Sequence, residues 1–159
     1  MIYGGKESLR NVFAASVEHA FIMKLGIADI EIVNYMTDML VRFVKIDAVF
    51  NVKDISGRTL YEIADMMVSA EHTNRDNRHV IHNHIGDFTL FWVGLYPNKL
   101  KKMRPISKDY LLDYSVNGSK SYQIASTKDD SSKSQILHRI SENFKLCSVG
   151  LQIASRDWI

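Results

Sequence analysis

The stretch that decides the fold lies in the middle of the chain, where residues 77–97 read NRHVIHNHIGDFTLFWVGLYP. Its apolar residues recur at intervals of three and four, which places them on one face of a helix with about 3.6 residues per turn. That face comprises Val80, Ile81, Ile85, Phe88, Phe91, Trp92 and Leu95. Pro97 disfavours helical geometry in the residue before it. We therefore predict a helix over residues 77–96 that is buried along one side.

The same spacing predicts helices on both sides of this stretch, over residues 7–25, 30–46, 57–71 and 107–126. A last helix has an apolar seam that runs without a break from Leu137 to Trp158. Residues 48–53 are predicted to be an extended connection without a strand partner, 98–103 a short helical turn, and 127–132 a polar loop. Ser107 is the expected N-cap of the fifth helix. These elements predict one all-α domain over residues 1–159, an up-and-down bundle of about six helices.

The composition excludes several classes of protein. A net charge of +2 gives no general attraction to nucleic acid or anionic membranes, and no nucleic-acid-binding motif occurs. The single cysteine, Cys147, cannot form an intrachain disulfide. No apolar run approaches the roughly 20 residues that cross a bilayer, and residues 1–7 lack the apolar core of a secretory signal. We expect a cytoplasmic protein with neither membrane nor nucleic acid as a partner. The basic residues between 99 and 108 are interpreted as a solvated loop: Lys99, Lys101, Lys102, Arg104 and Lys108.

One polar pair interrupts the apolar face of residues 77–96. His84 falls in the middle of this face, and Asp87 follows one helical turn later. A buried imidazole needs a hydrogen-bond partner, and Asp87 is the expected one. The other ring nitrogen of His84 would then be left for a ligand or a proton. A core histidine that only fixes helix packing is the alternative, and the sequence leaves both interpretations open.

The predicted fifth helix contributes Tyr114, Ser121 and Tyr122, which join His84 and Asp87 as candidate ligand-binding residues. A pocket between the fourth and fifth predicted helices would bring them together. Three glycines in these two helices allow a neighbouring helix or a ligand to approach closely: Gly86, Gly94 and Gly118.

No metal or cofactor is expected. His79 and His82 stand three residues apart on another side of the fourth helix and are the alternative metal ligands. The Glu-x-x-His pairs of di-iron bundles are absent from the sequence, as are the common nucleotide-binding and hydrolase motifs. On the second helix, Asp38 and Arg42 have the spacing of a surface ion pair.

Two functions from different classes follow from these patterns. The first is a non-enzymatic interaction or regulatory module, a subunit of an assembly. This module is expected to bind a protein partner or a second copy of itself through the last helix. Four residues lie off the seam and make that helix apolar on a second side: Ile136, Leu146, Val149 and Ile153. The second is a small-ligand-binding or enzymatic bundle. A polar cavity reached from solvent would favour the second function, and an exposed apolar patch beside a dry core would favour the first.

Several runs resemble a family of bacterial helical proteins of unassigned function. They are HIGDFTLFW at 84–92 with its continuation to Pro97, residues 118–122, the tail 147–158, and residues 39–43. The likeness covers most of the chain. The resemblance implies a bacterial, intracellular, all-helical protein and implies no reaction type.

Overall fold

The computed structural model describes residues 5–158, and within them the protein is all-α. These residues form nine α-helices, so the predicted class is confirmed and the predicted number of about six is wrong. The helices are α1 (Gly5–Glu18), α2 (Ile30–Phe43), α3 (Ile46–Val49), α4 (Ile63–Glu71), α5 (Arg75–Leu95), α6 (Pro97–Met103), α7 (Tyr114–Ser126), α8 (Ser132–Glu142) and α9 (Phe144–Ser155). A π-helical stretch, His19–Lys24, continues α1, and two 3-10 turns, Arg104–Ile106 and Lys108–Leu111, join α6 to α7. The up-and-down arrangement stays a prediction.

Helix α5 is the centre of the fold and contacts α4, α7 and α9. Asn74 begins it by accepting a hydrogen bond from the backbone of Asn77, as an N-cap does. The approach of α7 is very close, because a Cβ on Gly86 would lie 2.6 Å from the ring of Tyr122. A Cβ on Gly118, from the other side, would collide with Thr89 and Phe144. The close approach indicated by these glycines is confirmed.

The region before α4 differs from the predicted helix over residues 57–71. Asp54 accepts hydrogen bonds from the backbone nitrogens of Ser56 and Arg58, and Gly57 has a φ of +85°. This side-chain-capped turn reverses the chain, so that Lys53 forms an antiparallel bridge with Thr59. The prediction of an extended stretch without a partner at 48–53 is therefore wrong, since Ile46–Val49 is a helical turn and Lys53 is paired.

The last predicted helix is two helices. Asn143 ends α8, where its side chain and its backbone nitrogen both donate to the carbonyl of Arg139. The apolar seam is continuous across this break, because Ile140, Phe144 and Cys147 are all buried. The prediction of one unbroken helix is wrong because an asparagine can satisfy the carbonyls of a helix end without changing the apolar spacing.

A cap also explains the start of α7. Ser107 accepts from the backbone of Asp109 and so caps a 3-10 turn, while Asp113 accepts from Val116 and begins α7. The predicted N-cap at Ser107 is corrected by six residues, to Asp113. Among residues 5–158, no helix has the length and apolar character that crossing a membrane requires.

Candidate functional site

A polar cavity of about 650 Å³ lies between α2 and α5. Helix α2 presents Tyr35, Asp38 and Arg42 to it from one face, because these residues are three and four positions apart. Helix α5 contributes Asn77, Asn83, His84 and Asp87, and Lys53 and Lys133 reach the cavity from the loop after α3 and from the start of α8. The cavity therefore joins four separate parts of the chain.

The floor of the cavity is Asp87, whose side chain is 2% exposed. Its Oδ1 accepts hydrogen bonds from the hydroxyls of Tyr35 at 2.7 Å and Tyr122 at 2.6 Å. Its Oδ2 accepts from the guanidinium of Arg42 at 3.0 Å and from the amide of Asn83 at 3.5 Å. A buried carboxylate is stable only when it is paired and hydrogen-bonded, and Asp87 meets both conditions.

The tyrosines act as donors in this network. Burial, followed by the negative charge of Asp87, raises the pKa of both Tyr35 and Tyr122 well above the usual value. Both phenols therefore keep their protons at neutral pH. Burial alone lowers the pKa of Arg42, but the charge and hydrogen bond of Asp87 raise it overall, so the guanidinium stays charged.

His84 lines the cavity beside Asp87 but does not bond to it. Its Nε2 lies 2.8 Å from the carbonyl oxygen of Val49, and a carbonyl only accepts, so Nε2 carries the proton. The expected pairing with Asp87 is wrong because the acceptor positions of that carboxylate are taken by Tyr35, Tyr122 and Arg42.

The protonation state of His84 follows from its surroundings. Burial lowers its pKa, and the weaker opposing effect of the Asp87 charge does not restore it, so the ring is neutral at pH 7. With Nε2 protonated, the lone pair is on Nδ1. Within residues 5–158, Nδ1 makes no hydrogen bond to the protein, which leaves an acceptor at the cavity wall.

The charges around the cavity do not cancel. Asp87 is paired with Arg42, and Asp38 is paired with Arg10 rather than with Arg42 as its spacing suggested. Lys53 and Lys133 are exposed, and neither forms an ion pair in the described part of the chain. The two ammonium groups give the cavity a surplus of positive charge, which attracts anions.

The five candidate residues from the sequence fall into three places. His84 and Asp87 line the polar cavity, and Tyr122 reaches Asp87 from the side of α7. Ser121 instead hydrogen-bonds to Nδ1 of His82 at 3.1 Å. Tyr114 donates to Asp109 at 2.5 Å and lines a second, smaller cavity, between α5 and the segment before α7.

The alternative metal ligands are both used by the protein itself. Nδ1 of His79 lies 2.8 Å from the carbonyl of Arg75, and Nε2 lies 3.2 Å from the hydroxyl of Thr127. His82 is bonded to Ser121. In the described part of the chain, no group of three or more His, Cys, Asp or Glu residues could hold a metal ion.

Sequence reasoning missed Tyr35, Arg42, Asn83 and the two lysines of the cavity. The spacing of Tyr35, Asp38 and Arg42 along one face of α2 is the signal that was present, since it forms a polar stripe. Periodicity alone does not show that this stripe faces α5 rather than solvent.

No family model, no curated protein and no solved structure matches the chain. The resemblance to bacterial helical proteins stays a prediction.

Proposed function

We propose that the protein binds a small organic anion in the cavity between α2 and α5. The observation that carries the proposal is a solvent-reached polar cavity of about 650 Å³ with a fully paired carboxylate at its floor. Ligand cavities typically have volumes of about 300–1,000 Å³ and a few convergent polar groups. This combination favours ligand binding over a purely structural role for the buried polar residues.

The proposal assigns separate roles to the residues of the cavity. Lys53 and Lys133 hold the anionic group, because their charges have no partner in the described part of the chain. His84 accepts a hydrogen bond from a hydroxyl or amino group of the ligand through Nδ1. Val52 and Ile81, both buried at the wall, contact a short apolar portion.

The hydrogen bonds of Asp87 give this site its rigidity. Tyr35 and Arg42 belong to α2, Tyr122 belongs to α7, and all three bond to one carboxylate on α5. The network holds α2 at a fixed distance from α5 before any ligand arrives, which lowers the entropic cost of binding.

A contact with a partner protein through the last helix is the second candidate. Leu146, with 41% of its side chain exposed, is the observation that favours it. Ile136 and Ile153 are half-buried against the core of the same chain, so less apolar surface is left for a partner than the sequence indicated. Light scattering at high concentration tests this candidate: a dimer that Leu146→Lys dissociates supports it, and a strict monomer contradicts self-association.

Thermal unfolding in the presence of defined probes tests the ligand proposal. The probes are inorganic phosphate, glycerol phosphate, citrate and glutamate, with glucose as the uncharged control. A ligand at a hundred times its Kd stabilises the folded state by about 2.7 kcal/mol, which corresponds to about 5–10 °C in Tm for a chain of this size. We expect at least one anionic probe to raise Tm by several degrees and glucose to have no effect.

A pair of double variants locates the binding. Lys53→Gln/Lys133→Gln removes the two unpaired charges of the cavity and should abolish the stabilisation. Lys101→Gln/Lys102→Gln makes the same charge change on α6, outside the cavity, and should retain it. No stabilisation of the parent by any of the four anions, or equal losses in the two variants, would contradict the proposal.

A further inference from the structure

A second cavity, of about 300 Å³, lies beyond the polar one along α5. Its walls are mostly rings and aliphatic chains: Phe50, Tyr61, Phe88, Trp92, Leu100 and Tyr114. Phe88 and Trp92 stand four residues apart on the same face of α5, and their rings are 6.2 Å apart. The cavity is open to solvent, and the ring of Tyr61 at its wall is exposed.

The two acidic residues at this cavity, Asp109 and Glu62, both accept hydrogen bonds from the protein itself. Asp109, only 1% exposed, accepts from the backbone nitrogens of Ile63 and Ala64, each at 2.9 Å, and thereby satisfies the first turn of α4. It also accepts from the hydroxyl of Tyr114 at 2.5 Å. Glu62 accepts from the backbone nitrogen of Lys108. Asp109 thus accepts three hydrogen bonds from the chain, and within residues 5–158 the only other charged residue at the wall is Glu62, which favours a neutral occupant.

One polar group at the cavity has no partner. The indole Nε1 of Trp92 is buried without a hydrogen bond, and it is the only such side-chain atom among the residues that the structure describes. A buried donor that has lost water and found no acceptor destabilises the folded state. This nitrogen exposes less than 1 Å², so binding of an acceptor to it requires the indole to shift. Trp92 is half-buried at the wall of the cavity.

We propose that this cavity is a second binding site, for a neutral aromatic molecule that presents a hydrogen-bond acceptor to Nε1 of Trp92. The rings of the wall offer edge and face contacts to such a ligand, and the acceptor satisfies the unpaired donor. The site is independent of the anion site, because it shares no lining residue with the polar cavity and has the opposite chemistry.

Two probes of the same shape separate the hydrogen bond from simple apolar burial. Quinoline carries a ring nitrogen that accepts, and naphthalene has a carbon in its place. Binding is followed in the indole region of a proton–nitrogen correlation spectrum of the whole protein. The chain has two tryptophans, and Trp158 is the internal control because its Nε1 already donates to Ser16 at 3.0 Å. Trp92→Phe assigns the two signals.

Quinoline should bind the parent protein and move the Trp92 indole proton downfield, while the Trp158 signal stays in place. Naphthalene should bind about fivefold more weakly, the usual effect of one net hydrogen bond, without the downfield shift. In Trp92→Phe quinoline should lose its advantage and bind no better than naphthalene, because its nitrogen gives up water and finds no donor. Absence of quinoline binding, equal affinities in the parent, or binding that leaves the Trp92 signal unmoved would overturn the proposal. The parent measurements decide the matter even if the variant is unstable.

Discussion

The two sides of α5 are built in different ways. Towards α7 and α9 the helix is closed by small residues: a Cβ on Gly86 would lie 2.6 Å from Tyr122, and one on Gly94 would lie 2.8 Å from Leu151. Towards α2 the helix is held by the hydrogen bonds of Tyr35 and Arg42 to Asp87, which also accepts one from Tyr122 on the α7 side. A cavity of about 650 Å³ remains between α2 and α5. A contact made by shape leaves no space, whereas a contact made by polar groups keeps two helices apart at a fixed distance. The cavity exists because α2 meets α5 in the second way.

We call the contact of α5 with α7 and α9 the closed side and its contact with α2 the open side. This difference predicts that the stability of the closed side depends on side-chain size and that of the open side on polarity. Substitutions that change only side-chain size or only polarity test this difference.

The largest loss of stability is expected on the open side, for Asp87→Ala. It leaves the hydroxyls of Tyr35 and Tyr122 without an acceptor and Arg42 without its carboxylate. The expected cost is about 3 kcal/mol in the free energy of unfolding, measured in urea. Asp87→Asn keeps the shape and one acceptor and should lose clearly less. Equal, small losses in both variants would show that the network does not hold α2 to α5.

A smaller loss is expected on the closed side, for Gly86→Ala. The added methyl group meets the ring of Tyr122, which is fully buried and fixed through its hydroxyl. Overpacking costs about 1–3 kcal/mol, and replacing glycine in a helix returns about 1 kcal/mol. The net loss should be at most about 2 kcal/mol in urea unfolding. Gln123→Ala, an exposed change on α7, is the control and should stay near zero. A stabilised Gly86→Ala variant would mean that α7 lies further from α5.

The smallest effect on the stability of the fold is expected from the protonation of His84. Burial lowers its pKa in the folded state, so below the unfolded value of about 6.5 the unfolded chain binds the extra proton first. The contribution of neutral His84 to stability is complete above that pH and is lost as the pH falls towards the folded pKa. As the pH is lowered from 7.5 to 5, the Tm of His84→Leu should fall less steeply than the Tm of the parent. Exposed His72→Gln is the control. If Tm changes with pH in the same way in the parent and in His84→Leu, His84 lies in solvent.

The apolar side of α5 could be predicted from sequence, and the polar side only in part. Three- and four-residue spacing identifies α5 and its buried face, and a histidine and an aspartate within that face identify His84 and Asp87 as unusual. The glycines indicate where a neighbouring helix comes close, and Gly86 and Gly118 do lie at the contact between α5 and α7.

What the sequence could not supply is the choice of partner. Tyr35 and Arg42 lie 52 and 45 residues away from Asp87, and periodicity does not tell which helix faces which. Some helix ends were predicted wrongly for a local reason, because the side chains of Asn143 and Asp54 cap turns within otherwise regular apolar patterns. Both kinds of error concern hydrogen bonds, which apolar spacing does not register.

A crystal structure of the protein grown with the probe anion that gives the largest rise in Tm would show whether the cavity between α2 and α5 binds anions. We predict electron density for the anion between α2 and α5, within hydrogen-bond distance of the Lys53 and Lys133 amines, with a polar group of the ligand near Nδ1 of His84. Tyr35, Tyr122 and Arg42 should still bond to Asp87. An anion bound elsewhere, with the cavity between α2 and α5 empty or filled by side chains, would contradict the account.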